Sequence, residues 1–161
     1  MSMERARAYL KQKGLEDRIR EFSVSSATVE LAAQAVGCEP AKIAKTLSFL
    51  VDGQAILIVA AGGAKVDNQA YKARFHTKAK MLTPEQVTEM IGHQVGGVCP
   101  FGVKEGVRVF LDESLRRFDK VYPACGTSSS AVELTVPELE ACSGMEAWVD
   151  VCKGWRAETE A

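Results

Sequence analysis

Two apolar runs, Lys45–Val51 and Gln54–Ala60, stand either side of Asp52-Gly53, and this constrains the fold more than anything else in the chain. Asp-Gly between two strand-like runs specifies a two-residue hairpin, because glycine accepts the positive φ that such a turn demands. Side chains alternate along a strand, so Lys45, Leu47, Phe49 and Val51 share one face, and Thr46, Ser48 and Leu50 share the other. A lysine heading an apolar stripe points into the rim of a core. One reading of Lys45 is a strand-end lysine that reaches back to water along its own stem. The other is a cation held at the edge of an apolar pocket, facing an oxyanion, a carbonyl or a phosphate, where partial burial strengthens its field and lowers its pKa.

Helical signals surround the hairpin. Residues 3–13 form a helix ended by Gly14. Val29, Ala32, Ala33 and Val36 recur at helical spacing as an alanine-rich stripe expected to be buried close against a neighbour, with Ser26 as N-cap and Gly37 as the stop. Pro40 opens a short turn of helix, Gly62-Gly63 breaks the second strand, and Asp67 caps a helix running through Arg74. Thr83-Pro84-Glu85-Gln86 and Thr135-Val136-Pro137-Glu138 both begin helices with a capping box, the first ending at Gly92. Further strands are expected at 107–111, 120–124, 131–134 and 147–151, with a short helix over 112–118. Strands mixed irregularly with helices point to one α+β domain over 1–161, a mixed and largely antiparallel sheet packed with helices.

A chain of 161 residues with 47% hydrophobic and 25% charged side chains can bury one core and is neither disordered nor fibrous. Its longest apolar run, Ala55–Ala61, is far short of the ~20 residues of a membrane helix. The first residues lack the apolar stretch of a secretion signal, so a cytoplasmic protein is expected, with no membrane partner. Net charge is −1 but unevenly spread, with 13 Lys/Arg against 8 Asp/Glu in residues 1–80 and 7 against 13 in the remainder. Lys65, Lys72, Arg74, Lys78 and Lys80 oppose Asp67 alone, and such a cluster is either a solvated face or a surface for phosphates. The five cysteines make no Cys-x-x-Cys pair, and His76 and His93 do not complete a zinc spacing, so no metal is expected.

Two loops have backbones free enough to do chemistry. The stretch 92–102 holds four glycines and a proline, and can turn several N–H groups toward one point, as an oxyanion site requires. The second, Gly126-Thr127-Ser128-Ser129-Ser130, is small and rich in hydroxyls. Either loop can equally be a plain connection. The chain has no phosphate-binding P-loop and no Gly-x-Ser-x-Gly elbow. Cys99 and His93 are close enough in sequence for a thiol–imidazole pair, against which stands the plain reading of Cys99 as a buried small residue.

Taken in order, Ser23-Val24-Ser25-Ser26-Ala27, Ile43-Ala44-Lys45-Thr46-Leu47, Ala60-Ala61-Gly62-Gly63, Val66-Asp67, Gly96-Gly97-Val98-Cys99-Pro100-Phe101-Gly102, Leu111-Asp112, Gly126-Thr127 and Val132-Glu133-Leu134-Thr135 resemble the YbaK/prolyl-tRNA synthetase-associated domain family. The resemblance covers about residues 20–145. It implies an aminoacyl-tRNA deacylase that hydrolyses the ester of a small mischarged amino acid (alanine or 2-aminobutyrate first, then cysteine, serine or threonine) on tRNA, usually tRNA-Pro. It places Lys45 at the family's required lysine with Thr46 beside it, and Gly96, Gly97, Val98, Cys99 and Pro100 in a loop around the reacting end. Gly126, Thr127 and Ser128 match a loop near the terminal adenosine, and Glu133 falls near an acidic pocket position. The same resemblance makes tRNA the partner, with Lys65, Lys72, Arg74, Lys78 and Lys80 on its backbone and prolyl-tRNA synthetase as a possible companion. It implies no cofactor, no metal and no DNA. Two other readings stay open: a non-catalytic module binding aminoacyl-tRNA or a synthetase, and a thiol hydrolase using Cys99 and His93.

Overall fold

The computed structural model describes residues 2–22, 28–93 and 97–155. In chain order it contains α1 (Ser2–Gln12), β1 (Ile19–Glu21), α2 (Val29–Val36), β2 (Ile43–Val51), β3 (Gln54–Ala61), β4 (Lys65–Val66), α3 (Asn68–Phe75), α4 (Pro84–Gln86), β5 (Arg108–Asp112), β6 (Lys120–Pro123), β7 (Ser130–Val132), β8 (Leu134–Thr135), α5 (Val136–Cys142), β9 (Ala147–Val149) and β10 (Cys152–Lys153).

The β2–β3 hairpin is the spine. Val51 pairs with Gln54 across the turn, and Asp52 and Gly53 both take positive φ, 50° and 79°, which gives the turn the twist its strands need. β2 starts two residues before Lys45 because Ile43 and Ala44 pair in parallel with Tyr122 and Pro123 of β6. The central sheet runs β8-β6-β2-β3-β5-β9. It is mixed, as expected. Antiparallel pairing makes the long β2–β3 ladder, β6–β8 and the small ribbons β1–β7 and β4–β10, while β2–β6, β3–β5 and β5–β9 are parallel.

Alternation along β3 sorts the core. Ile56, Ile58 and Ala60 face Phe49, Tyr71 and Phe75, and so seat α3 on one side of the sheet. Val59 and Ala61 face the opposite side, where Ala6 and Leu10 of α1 and Leu139 and Cys142 of α5 pack. Leu57 joins Leu82, Val87 and Ile91 in a third cluster.

Both capping boxes form, at Thr83–Gln86 and Thr135–Glu138. Beyond α4 the backbone widens into a π-type turn over Val87–Ile91, closed at Gly92. Three expectations are corrected. The cap of α2 is Thr28, whose hydroxyl accepts from the Leu31 amide, and the expected cap Ser26 lies outside the described residues. Of the stripe expected to be buried on α2, Ala33 is buried while Val29, Ala32 and Val36 are half-buried, because this helix borders a cleft. The expected strand over 131–134 divides, and that over 147–151 stops at Val149, with β10 starting only at Cys152. At Glu133 the chain leaves β1 for β6, and after Val149 it leaves β5 for β4.

Candidate functional site

A cleft of about 320 Å³ opens between α2 and the first half of β2. α2 and its cap supply Thr28, Val29 and Ala32, and β2 supplies Ile43 to Ser48. Met81, Leu82, Pro84 and Val87 form one wall, with Val98, Tyr122, Ala124, Thr127, Ser130 and Ala131 opposite. Among these described residues Lys45 is the one charged side chain, and no carboxylate takes part.

Lys45 is half-buried, and its ammonium donates to the carbonyls of Gly62, at 3.3 Å, and Ala64. Burial lowers its pKa from the ordinary lysine value. The neighbouring Thr46 projects to the opposite face of the strand, as parity requires, and its buried hydroxyl has no hydrogen-bond partner among the described residues. A buried hydroxyl left without a partner costs about 1–3 kcal/mol.

The two permissive loops meet beside this cleft. A Cβ placed on Gly97 would lie 2.3–2.4 Å from the carbonyl of Gly126 and the amide of Thr127, so only glycine allows the approach. Val98 and Thr127 then reach the cleft from either side of that contact. The Thr127 hydroxyl donates to Ser130 Oγ at 2.8 Å and accepts from the Ser129 amide at 3.3 Å, which folds the serine loop onto itself.

The structure does not bring every expected site residue to the cleft. Gly96 lies outside the described residues. Cys99, Pro100 and Gly126 are buried behind the wall, and Ser128 is half-buried without lining the cleft. Glu133 does not line it either. Its carboxylate accepts from Arg20 at 2.8 Å and from the Tyr122 hydroxyl at 3.0 Å, with Lys120 at 3.8 Å, so it braces a wall residue from behind. Thr28, Val29, Ala32, Met81 and Tyr122 line the cleft without having been singled out. A helical stripe does not reveal whether it faces a neighbour or a ligand.

Cys99 and His93 do meet, with Sγ 3.6 Å from Nε2, but both are buried. His93 Nε2 is 2.7 Å from the Phe101 carbonyl, which only accepts, so that nitrogen carries the proton and has no lone pair for a thiol. Burial also pushes the Cys99 thiol far above its ordinary value. This is a packed pair without a nucleophile.

Of the five cations expected on nucleic acid, Lys72 and Lys78 share a second depression with Asn68, Gln69 and Ala79. Lys65 and Lys80 are exposed, and the Lys78–Leu82 stretch joins this depression to the cleft wall. The Arg74 guanidinium instead lies over the Phe75 and Phe110 rings, 5.2 and 5.4 Å from their centroids. Among the described residues, no group of three His, Cys, Asp or Glu side chains could hold a metal, and no helix is long and apolar enough to cross a membrane.

The site is thus a largely apolar cleft on an α+β sheet, with several hydroxyls and, among the described residues, a single lysine charge. The chain belongs to the aminoacyl-tRNA editing domain family, whose model matches residues 24–142. It is 50% identical over 156 residues to the uncharacterised protein YwhH of Bacillus subtilis (strain 168), covering 96% of this chain and 99% of that one. A crystal structure described as a candidate trans-editing enzyme for prolyl-tRNA synthetase superposes with a TM-score of 0.86 at 31% identity, covering 95% of this chain and 98% of that one. The proline–tRNA ligase of Geobacillus sp. (strain WCH70) is 28% identical over 102 residues, 63% of this chain and 18% of the ligase.

Proposed function

We propose that the chain is a trans-editing aminoacyl-tRNA deacylase that removes a small mischarged amino acid from tRNA, with tRNA-Pro as the first candidate. The observation that carries this reading is a cleft lined by a half-buried lysine together with the hydroxyl residues Thr46, Thr127 and Ser130. In the proposed reaction a water oxygen attacks the ester carbonyl carbon. The carbon–oxygen bond to the terminal ribose then breaks. The ribose oxygen leaves as a hydroxyl with one of the water's protons, the other proton passes to solvent, and the amino acid leaves as its carboxylate. An ester is activated enough that orientation and charge stabilisation suffice. Lys45 anchors the carbonyl oxygen or the terminal phosphate, Thr46 and Thr127 orient the acyl group, and the Gly97 backbone closes the reacting end. Lys65, Lys72, Lys78 and Lys80 follow the tRNA backbone, while the stacking of Arg74 on aromatic rings makes it the weakest of the five candidates. Cytoplasmic localisation and cooperation with prolyl-tRNA synthetase complete the reading.

Among the described residues no carboxylate lines the cleft, which favours a substrate side chain that is small and uncharged: alanine or 2-aminobutyrate first, then cysteine, then serine or threonine. A pocket separates neighbours differing by one methylene by only about 1–3 kcal/mol, so the order among them rests on assay. The test is deacylation of tRNA-Pro charged separately with alanine, 2-aminobutyrate, cysteine, serine, threonine and proline, by wild type and Lys45→Ala. The expected result is cleavage of a non-cognate ester, sparing of the proline ester and loss of activity in the variant. Tight tRNA association without cleavage, also with prolyl-tRNA synthetase added, would replace this reading with a non-catalytic binding module.

A further inference from the structure

The Lys45 ammonium rests on two main-chain carbonyls, Gly62 and Ala64, at the end of β3. A carbonyl orients a cation only as well as its own turn is held. The turn is held by a buried polar chain that no step of the proposed reaction uses. The Ala61 amide donates to Ser114 Oγ at 3.0 Å. The Ser114 amide donates to one oxygen of Asp112 at 2.9 Å, and the Val151 amide to the other at 3.0 Å. Asp112 and Ser114 are both 0% exposed. The Val151 carbonyl accepts from the Asp67 amide at 2.7 Å, and β10 pairs with β4, so the far side of the turn is tied to the same carboxylate. From the other direction, a Cβ on Gly62 would lie 2.1 Å from the Pro40 carbonyl oxygen and 2.7 Å from Val29 Cγ1, so the turn packs closely against the 40–42 turn and the start of α2.

We propose that Asp112 and Ser114 are positioning residues for Lys45: through the Ala61 amide and the β10 strand they fix the turn whose carbonyls aim the ammonium at the cleft. A carboxylate in a fully buried site is costly unless its oxygens are paired, and here each oxygen accepts a main-chain amide next to an element that touches Lys45's turn. The charged or titratable groups that bear on Lys45 are Cys152 on β10, Lys65 on β4 and Glu30 on α2. None of them replaces the two carbonyls. Weakening the turn therefore withdraws support from the charged form of Lys45 and leaves burial unopposed, so its titration midpoint falls.

The activity part of this proposal rests on the deacylase reading, so the deciding measurement is independent of turnover. Lysine ¹³Cε shifts are followed against pH in wild type, Ser114→Ala and Asp112→Asn, with Lys45 assigned from its loss in Lys45→Arg. The expected result is a Lys45 midpoint lower by about half a pH unit or more in the variants, with the surface lysines unmoved. A Lys45 midpoint equal to that of wild type in a folded variant overturns the proposal, whatever happens to activity. If Ser114→Ala does not fold, Asp112→Asn decides alone. If neither folds, the wild-type Lys45 ammonium decides, since one held by two carbonyls gives a slowly exchanging ¹⁵Nζ–H signal and a free one gives none. Where an ester is cleaved, the variants lower kcat about tenfold with little change in KM. If wild type cleaves no ester, the deacylase reading fails while the midpoint still decides the role of Asp112 and Ser114.

Discussion

The backbone of Gly97 runs against that of Gly126, close enough that a methyl group on Gly97 would lie 2.3 Å from the Gly126 carbonyl carbon and 2.4 Å from its oxygen. Both residues are buried, and the contact locks two loops from distant parts of the sequence into one wall of the cleft. The wall is thus set by main chain on main chain, which side-chain motion cannot relax.

Gly97→Ala is therefore expected to separate the loops. The strain should destabilise the fold by about 1–3 kcal/mol, since backbone atoms must move to admit the methyl group. Deacylation should fall more than Tm alone explains, because Val98 and Thr127 flank the contact. Thermal melts together with activity at a temperature where the variant is fully folded check this. An active variant with an unchanged melt would mean that the loops part freely.

The cysteines offer a second check. Cys38 is half-buried, and Cys99, Cys125, Cys142 and Cys152 are buried. Burial raises the thiols of Cys125 and Cys152 to about 12 and that of Cys142 to about 11. Native protein at neutral pH should therefore show one slowly titrating thiol with a disulfide reagent, and five after unfolding. Cys38→Ser should abolish the native signal. Iodoacetamide should leave deacylation unchanged, whereas rapid inactivation traced to Cys99 would restore the thiol-hydrolase reading.

What the sequence made legible follows from how local each signal is. Asp52-Gly53 dictates its turn through backbone conformation alone, and strand parity then places Lys45 and Thr46 on opposite faces without knowledge of any neighbour. The Thr83 and Thr135 caps are equally local. The split of the 131–134 strand at Glu133 depends on which partner each half finds, and the half-burial of Val29 and Ala32 depends on an empty space beside the helix. Neither is written in periodicity. Cys99 and His93 illustrate the same limit, since spacing suggested their meeting while only packing reveals that the imidazole proton is committed to Phe101. The Leu111-Asp112 motif was visible as a pattern, but its link to Ala61 runs through Ser114 and appears only in three dimensions.

Tyr71 carries a buried hydroxyl with no partner among the described residues, inside the aromatic group of Phe49, Phe75 and Phe110. Burial pushes its phenol up to about 12. Removing an unpaired buried hydroxyl relieves a desolvation cost, so Tyr71→Phe should stabilise the protein by about 1 kcal/mol and raise Tm by a few degrees. A lower Tm on calorimetry would show that the hydroxyl finds a partner in solution, such as a bound water.

Glu138 gives the pH dependence. Its carboxylate takes two hydrogen bonds from Arg18, at 2.9 and 3.0 Å, and one from the Thr135 amide at 2.9 Å. The Arg18 bonds are the chief reason that its pKa lies below the ordinary value of 4.5. The unfolded chain therefore takes up this proton first as pH falls. The stabilisation is complete above the unfolded value and is lost as pH drops through the lower, folded one. Glu138→Gln keeps an oxygen for the Thr135 amide but removes the charge, so it should melt below wild type at neutral pH. The gap should close as pH falls below 4.5, and narrow in high salt because the pair is partly exposed. A gap that persists unchanged to low pH would assign the loss to packing or to the cap, and not to the charge pair.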